Sequence, residues 1–355
     1  MFKIKYFIMS SNIIQIGDTK ISENHKALII AEIGINHNGS LSLAKRIANN
    51  AIKTGFKIIK HQTHIPEKEM SEDAKKMIPG NSNKSIYEII KKCTLSEEDE
   101  YELCNFIRSK GGTYISTPFC REAVDRLERL KVPAYKIGSG ECNNFPLVDY
   151  IASKKKPIIL STGMNDINNI EIAVKILRKR KVKHVILHCT NLYPTPYKLV
   201  RLGAINLLKK KFPNTIIGLS DHTQDNYCAY AALGLGAKVI EKHFVHKKKI
   251  KGPDIVCSMD TTEGKQLLEA ASKIFLARKT SKEALKEEKV TIKFAFSSVG
   301  IIKNINKNET LTEKNIFPIR SNSGYFKPKD YPKLLGKKAR KNLLAGKKLK
   351  KGDFY

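Results

Sequence analysis

Eight short apolar, β-branched runs recur along the chain, each separated from the next by a stretch with helical patterning. No other feature limits the possible folds as much. The runs cover 27–34, 56–64, 113–119, 134–140, 157–163, 184–191, 216–223 and 239–244. Each reads as near-continuous Val, Ile and Leu rather than strict alternation, as expected of a parallel strand buried on both faces. Amphipathic stretches at 41–54, 97–110, 121–130, 171–179 and 226–235 lie between them. Eight strand–helix repeats over about 220 residues predict an α/β fold of the (β/α)8 TIM-barrel type. A doubly wound open sheet is the alternative, but it usually has fewer strands and a Gly-rich first turn, and no G-x-G-x-x-G occurs here.

Two segments flank the repeats. Residues 13–21, centred on Gly17-Asp18, predict a hairpin that could plug the N-terminal mouth of the barrel. The segment 66–93 is long for a βα loop, and long loops at that position tend to carry function. The barrel domain is expected over 1–283, a charged linker over 284–290 and a small second domain over 291–355. That domain is too small to be very stable alone and should pack on its own barrel or a neighbour's.

Composition narrows the class further. Hydrophobic residues make up 41% of the 355, enough for a sizeable core, and no apolar run approaches the ~20 residues that span a bilayer. The first ten residues are too short and interrupted for a secretory signal, and Met9 could be the start. Seven scattered cysteines without a C-x-x-C pair argue against a disulfide framework and a thiolate zinc site, and fit a reducing cytoplasm. The net charge of +31 comes from lysine far more than arginine. A solvated lysine surface explains it better than nucleic-acid binding, which would show Arg-rich or aromatic-interleaved patches. Such a field could still draw in an anionic substrate.

In a barrel of this type the reacting groups sit at the C-terminal ends of the strands. All eight runs deliver polar groups there: Glu32 and His37; Lys60, Gln62 and His64; Ser116 and Thr117; Lys136, Ser139 and Glu141; Ser161 and Thr162; His188 and Asn191; Ser220, Asp221 and His222; Glu241 and His243. Two lysines within a ring of Ser, Thr and Asn donors suit a phosphate and a carboxylate together. A single Ser or Thr at a strand end is usually a cap, so the argument rests on the convergent set. His222 and His243 come from adjacent strands and could hold a divalent metal with solvent and substrate in the open positions. Taken alone, a strand-end histidine is more often structural, and His37, His61, His64 and His188 are further candidates. Glu32 sits inside an apolar run. Desolvation there would suit it to proton transfer, whereas an internal salt bridge to Lys60 or Lys136 is the plainer reading.

These residues fall in motifs that resemble the sialic acid synthases, most closely the bacterial N-acetylneuraminate synthases. The motifs include Ala31-Glu32-Ile33-Gly34-Ile35-Asn36-His37-Asn38-Gly39, Lys60-His61-Gln62-Thr63-His64, Ser116-Thr117-Pro118-Phe119 and Tyr135-Lys136-Ile137-Gly138-Ser139-Gly140-Glu141. They continue through His188-Cys189-Thr190-Asn191, Tyr193-Pro194-Thr195-Pro196, Gly218-Leu219-Ser220-Asp221-His222-Thr223, Glu241-Lys242-His243-Phe244 and Gly252-Pro253-Asp254. The resemblance implies condensation of phosphoenolpyruvate with N-acetylmannosamine and water to give N-acetylneuraminate and phosphate, with C–O cleavage. It also implies a C-terminal antifreeze-like (β-clip) domain and a domain-swapped homodimer. Lys60, Thr117, Lys136, Ser139, Ser161, Asn191 and Ser220 would hold phosphoenolpyruvate. Gln62, Asn81, Glu141, Tyr193 and Asp254 would line the sugar site, with Arg320 reaching it from the other subunit. His222 and His243 would bind the metal, Mn²⁺ first, with Mg²⁺ or Co²⁺ as alternatives. Glu32 would orient or deprotonate the water or manage the aldehyde oxygen's proton. Around Arg320 the chain has Ser321-Asn322-Ser323-Gly324 where the family more often has Pro-Gly-x-Gly, which should loosen that loop. Cys120 replaces a common serine, a mild change. Sibling enzymes making legionaminic or pseudaminic acid use the same chemistry on a 6-deoxy diacetamido sugar and are the alternative. An octulosonate or heptulosonate synthase would share the barrel but give no reason for the tail.

Overall fold

A computed structural model describes residues 13–78, 83–278 and 281–355. Asn81 and the first twelve residues, with the expected start at Met9, lie outside them. The chain divides between residues 279 and 280 into two compact units.

In the first unit each of the eight apolar runs forms one strand of a closed parallel barrel. After the hairpin strands β1 (Ile14–Ile16) and β2 (Thr19–Ile21) come β3 (Leu28–Gly34), β4 (Ile58–Thr63), β5 (Thr113–Pro118), β6 (Tyr135–Ile137), β7 (Ile158–Ser161), β8 (His184–Cys189), β9 (Ile216–Asp221) and β10 (Val239–His243). They pair in sequence order, and β10 closes the ring on β3. The helices Leu41–Thr54, Glu97–Ser109, Arg121–Arg129, Ile167–Lys179 and Tyr227–Gly234 occupy the five amphipathic stretches. Phe145–Ser153 and Gly203–Lys211 fill two further intervals between strands, the first burying Leu147, Val148, Ile151 and Ala152 and the second Ile205 and Leu208. Thr261–Ala277 completes the outer layer behind a capping box made by Asp260 and Glu263.

The period-2 alternation of the strands explains where the site lies. Leu28, Ile30, Ile58, Ile115, Ala134, Ile159, Val185, Leu187, Ile216 and Val239 form one apolar layer inside the barrel, and the hairpin residues Ile14, Ile16 and Ile21 join it. The hairpin therefore plugs the N-terminal mouth. Their neighbours Ile29, Ala31, Ile59, Ile186, Ile217 and Ile240 face the helices. Two residues further along each inward-facing row come Glu32, Lys60, Thr117, Lys136, Ser161, Cys189 and Glu241, all buried. The apolar layer thus passes directly into a polar one toward the C-terminal mouth.

In the second unit β11 (Ser297–Ile301) pairs antiparallel with β12 (Ile316–Arg320) over a small core that includes Val299, Ile305, Leu311, Leu334 and Leu349. The expected linker at 284–290 holds the 3-10 turn Lys286–Glu288 and the start of the helix Lys289–Ala295, which belong to this unit. All seven cysteines are buried and unpaired. No helix among the described residues is long and apolar enough to cross a membrane.

Gly218 occupies an inward position of β9 where a Cβ would lie 2.2 Å from the Val239 carbonyl oxygen and 2.6 Å from Leu187 Cδ2. Gly218→Ala should therefore push β9 off β10 and cost about 1–3 kcal/mol. Thermal unfolding of the variant beside the parent checks this.

Candidate active site

The centre of the polar layer is a buried charged cluster. Glu32 on β3 and Lys60 on β4 sit side by side in register and form an ion pair with both side chains almost wholly buried. Lys60 Nζ also lies 3.8 Å from Glu241 Oε1, and Lys136 Nζ lies 3.7 Å from the same oxygen. Ser220 Oγ donates to that oxygen at 3.2 Å. Burial alone would raise the Glu241 carboxyl, but Lys136 and Lys60 hold it below the usual carboxylate range. Burial pushes the Lys60 ammonium down to about 7, with Glu241 opposing that and Lys136 adding to it. Of the two readings of Glu32 open in the sequence, the internal salt bridge to Lys60 is the one the structure shows. Its second oxygen, Oε1, is buried without a hydrogen bond.

Glycines keep the space between these groups open. Gly34 has φ +47°, and a Cβ there would meet Glu32 Oε1 at 3.0 Å and the His243 ring at 3.3 Å. Gly163 separates Asn191 from Ser139: a Cβ would fall 2.2 Å from Asn191 Oδ1 and 2.9 Å from Ser139 Oγ. Its own backbone N–H donates to Ser139 Oγ at 3.0 Å. Ser161 Oγ, buried and without a partner, lies on the adjoining strand. Thr117, Lys136, Ser139, Ser161, Asn191 and Ser220 are thus carried to one end of the barrel by β5 to β9 and the turns that follow them.

His222 and His243 face one another, ring centroids 5.5 Å apart, and the Tyr193 ring covers His222 at 4.1 Å. His222 Nδ1 is 3.0 Å from the Thr190 carbonyl oxygen, which leaves Nε2 free. His243 Nδ1 is buried without a hydrogen bond, 3.6 Å from Asp254 Oδ2. Burial, then the charge of His222, holds His243 well below the usual imidazole range. At His222 burial is outweighed by Cys189 and the Thr190 carbonyl, which raise it, so only His243 already favours the neutral form that ligates a metal. Among the described residues no group of three or more His, Cys, Asp and Glu side chains is arranged to hold an ion. The chain offers two imidazoles with one orphaned nitrogen between them and Asp254, which fits a cation that keeps open positions. Burial pushes Asp254 up to about 6 and Glu141 up to about 7. Glu141 is part-exposed, but its Oε2 is buried and unpartnered in a space that the missing Gly138 side chain leaves.

The other histidine candidates sit apart. His37 Nε2 lies 3.2 Å from His61 Nε2, and His61 Nδ1 lies 3.1 Å from the Tyr114 hydroxyl, on the helix side of the strands. Burial, helped by His61, lowers His37 to about 3. His188 Nε2 meets the Val200 carbonyl oxygen at 2.6 Å. Arg320 ends β12 and is exposed in the second unit. In the loop after it, Lys327 Nζ donates to the Asn322 and Gly324 carbonyl oxygens at 2.7 and 2.8 Å, and Ser298 Oγ donates to the Ser321 carbonyl oxygen at 2.5 Å. From the sequence, Glu241 is only a polar strand-end group beside the histidines; its place in the inward row, two residues after Val239, was the signal for its pairing with the lysines.

A closed barrel whose mouth holds two buried lysines, hydroxyl donors and two facing histidines has the form of an enzyme site for a small anion. The NeuB family model matches residues 47–283. The chain is 37% identical to the N,N'-diacetyllegionaminic acid synthase of Campylobacter jejuni, over 89% of this chain and 97% of that one. It is 35% identical to the pseudaminic acid synthase of the same species, over 96% and 99%. The crystal structure of an N-acetylneuraminic acid synthetase from Leptospira borgpetersenii superposes with a TM-score of 0.72 at 29% identity, covering 79% of this chain and 95% of that one. The chain belongs to the NeuB family, the phosphoenolpyruvate-condensing synthases of nonulosonic acids.

Glu141 gives a pH test of this geometry. Its folded pKa of about 7 lies above the ordinary 4.5, so its contribution to stability is full below about 4.5 and lost as pH rises through 7. Glu141→Gln should therefore gain stability relative to the parent at pH 8 compared with pH 5, as read by urea unfolding at both.

Proposed function

We propose that this synthase condenses phosphoenolpyruvate with a 6-deoxy diacetamido hexose and water, releasing phosphate and an acid of the legionaminic or pseudaminic type. The observation that carries this choice is the pair of Campylobacter jejuni relatives, which match almost end to end. The barrel motifs alone favoured N-acetylmannosamine. They surround the shared phosphoenolpyruvate chemistry, however, and do not discriminate the sugar.

Lys60 and Lys136 pair with the phosphate and carboxylate, and Thr117, Ser139, Ser161, Asn191 and Ser220 donate to the same oxygens. Gln62, Glu141, Tyr193 and Asp254 line the sugar side, and Asn81 belongs with them. Bound at His222 and His243, a divalent cation, Mn²⁺ first, would polarise the sugar aldehyde. The enol C3 of phosphoenolpyruvate forms a bond to the aldehyde carbon, and positive charge develops at C2. Water adds to C2, and the C–O bond to phosphate breaks to leave the keto acid. Once substrate anion competes for Lys60, Glu32 is released to take the proton of that water or to manage the proton of the aldehyde oxygen. A homodimer in which Arg320 of one chain serves the sugar of the other is part of the same proposal.

Phosphate release with the two 6-deoxy diacetamido sugars and with N-acetylmannosamine, before and after chelation and with Mn²⁺ restored, tests the reading. Release with a diacetamido sugar and a matching product mass is expected, as is loss of activity on chelation. Release with N-acetylmannosamine alone would move the chain to the sialic acid branch. Glu32→Gln should keep the fold at a lower melting temperature, because Lys60 loses its buried ion-pair partner, and lose about 10²-fold or more in kcat. Turnover near the parent's would remove Glu32 from the chemistry.

A further inference from the structure

One buried polar chain beside the mouth has no part in the chemistry above. His64, the residue after β4, is buried, and its ring stacks on Phe119 with centroids 4.1 Å apart and planes 10° apart. Its Nδ1 lies 2.8 Å from Glu69 Oε1, in the short helix Pro66–Glu69 that opens the long insertion. The other oxygen of Glu69 accepts from the Ile65 backbone N–H at 3.3 Å, so the carboxylate is itself fixed. His64 Nε2 lies 3.3 Å from Gln62 Oε1. The Glu69 carboxylate accepts from an Nδ1–H, and the Gln62 carboxamide oxygen accepts where Nε2 carries a proton as well. A donor held on the Gln62 oxygen turns the amide nitrogen the other way. That nitrogen has no hydrogen-bond partner among the described residues. Gln62 shares the inward parity of Lys60 on β4, two residues nearer the mouth.

We propose that His64, oriented by Glu69 and Phe119, is a positioning residue that fixes the Gln62 amide with its N–H donors toward the acceptor sugar. The matching group is the carbonyl oxygen of an acetamido substituent. A diacetamido sugar carries two of these and N-acetylmannosamine one. An unheld amide flips, and in the wrong orientation it sets its own oxygen against that carbonyl. The sugar's place beside Gln62 rests on the proposed function; the orientation of the amide does not.

The test is the split between the two Michaelis constants in His64→Phe, which keeps a ring against Phe119 but removes both donors, and in Glu69→Gln. His64→Phe should raise the sugar KM roughly tenfold and leave the phosphoenolpyruvate KM within twofold, the scale of one oriented hydrogen bond. Glu69→Gln, which can still accept from Nδ1, should raise the sugar KM about threefold. A sugar KM within twofold of the parent in His64→Phe, or a phosphoenolpyruvate KM that rises in step, would overturn the proposal. Nitrogen-15 NMR of the unsubstituted chain decides the point without a variant. Both His64 nitrogens should report protons, and a bare Nε2 would overturn the orientation. Should the parent turn over none of the three sugars, the proposed function fails, while the nitrogen shifts still decide the amide.

Discussion

Four charged side chains at the heart of a closed barrel form the constraint on which the rest of this structure depends. Glu32, Lys60, Lys136 and Glu241 are each nine-tenths buried or more, at the level where the inward-facing rows change from apolar to polar. Isolated charges there would cost several kcal/mol apiece. They are tolerated because two cations and two carboxylates alternate around shared oxygens, with Ser220 donating to Glu241. This balance also readies the site for an anion. Under the proposed function, an entering phosphate or carboxylate would take over the lysines as partner and release Glu32.

Such a cluster holds its geometry only if the strand ends do not move, and the outward-facing residues between the inward ones provide that. His61 and Thr63 alternate with Lys60 and Gln62 on β4 and bind Glu100 from the helix layer, as does Tyr114 of β5. Burial would raise the Glu100 carboxyl, but hydrogen bonds from His61, Thr63 and Tyr114 hold it below the usual range. At the other side, Lys242 donates to Asp221 at 2.9 Å and to the Thr223 carbonyl oxygen at 2.6 Å, and so ties the strand end carrying His243 to the turn carrying His222.

Much of this was legible in the sequence because a parallel barrel writes its strands as continuous apolar runs and its chemistry as polar residues at their ends. Counting two residues on from Ile30, Ile58, Ala134 and Val239 leads to Glu32, Lys60, Lys136 and Glu241. The Glu32–Lys60 pair was one of the readings open in the sequence, but the sharing of Glu241 by Lys60 and Lys136 was not legible, since it depends on the register between neighbouring strands and on side-chain reach. The opening provided by Gly34, Gly138 and Gly163 was hidden for a related reason: a glycine in a motif does not say which side chain would occupy its missing Cβ.

The same division explains why the motifs identify the reaction more sharply than the sugar. The residues proposed to meet phosphoenolpyruvate lie on the strands or in the first positions of the turns that follow them, where closure of the barrel sets their spacing. The proposed sugar side draws instead on Glu141 and Tyr193, in the turns after β6 and β8, and on Asp254, in the segment before Thr261. Loops vary without disturbing closure. Discrimination between a C6 hydroxyl and a C6 methyl, or between a hydroxyl and an acetamido group at C4, needs only a few donors and acceptors turned the right way. Orientation of an amide such as that of Gln62 is therefore as informative about the acceptor as its presence, and it is set by a histidine and a carboxylate that never meet the substrate.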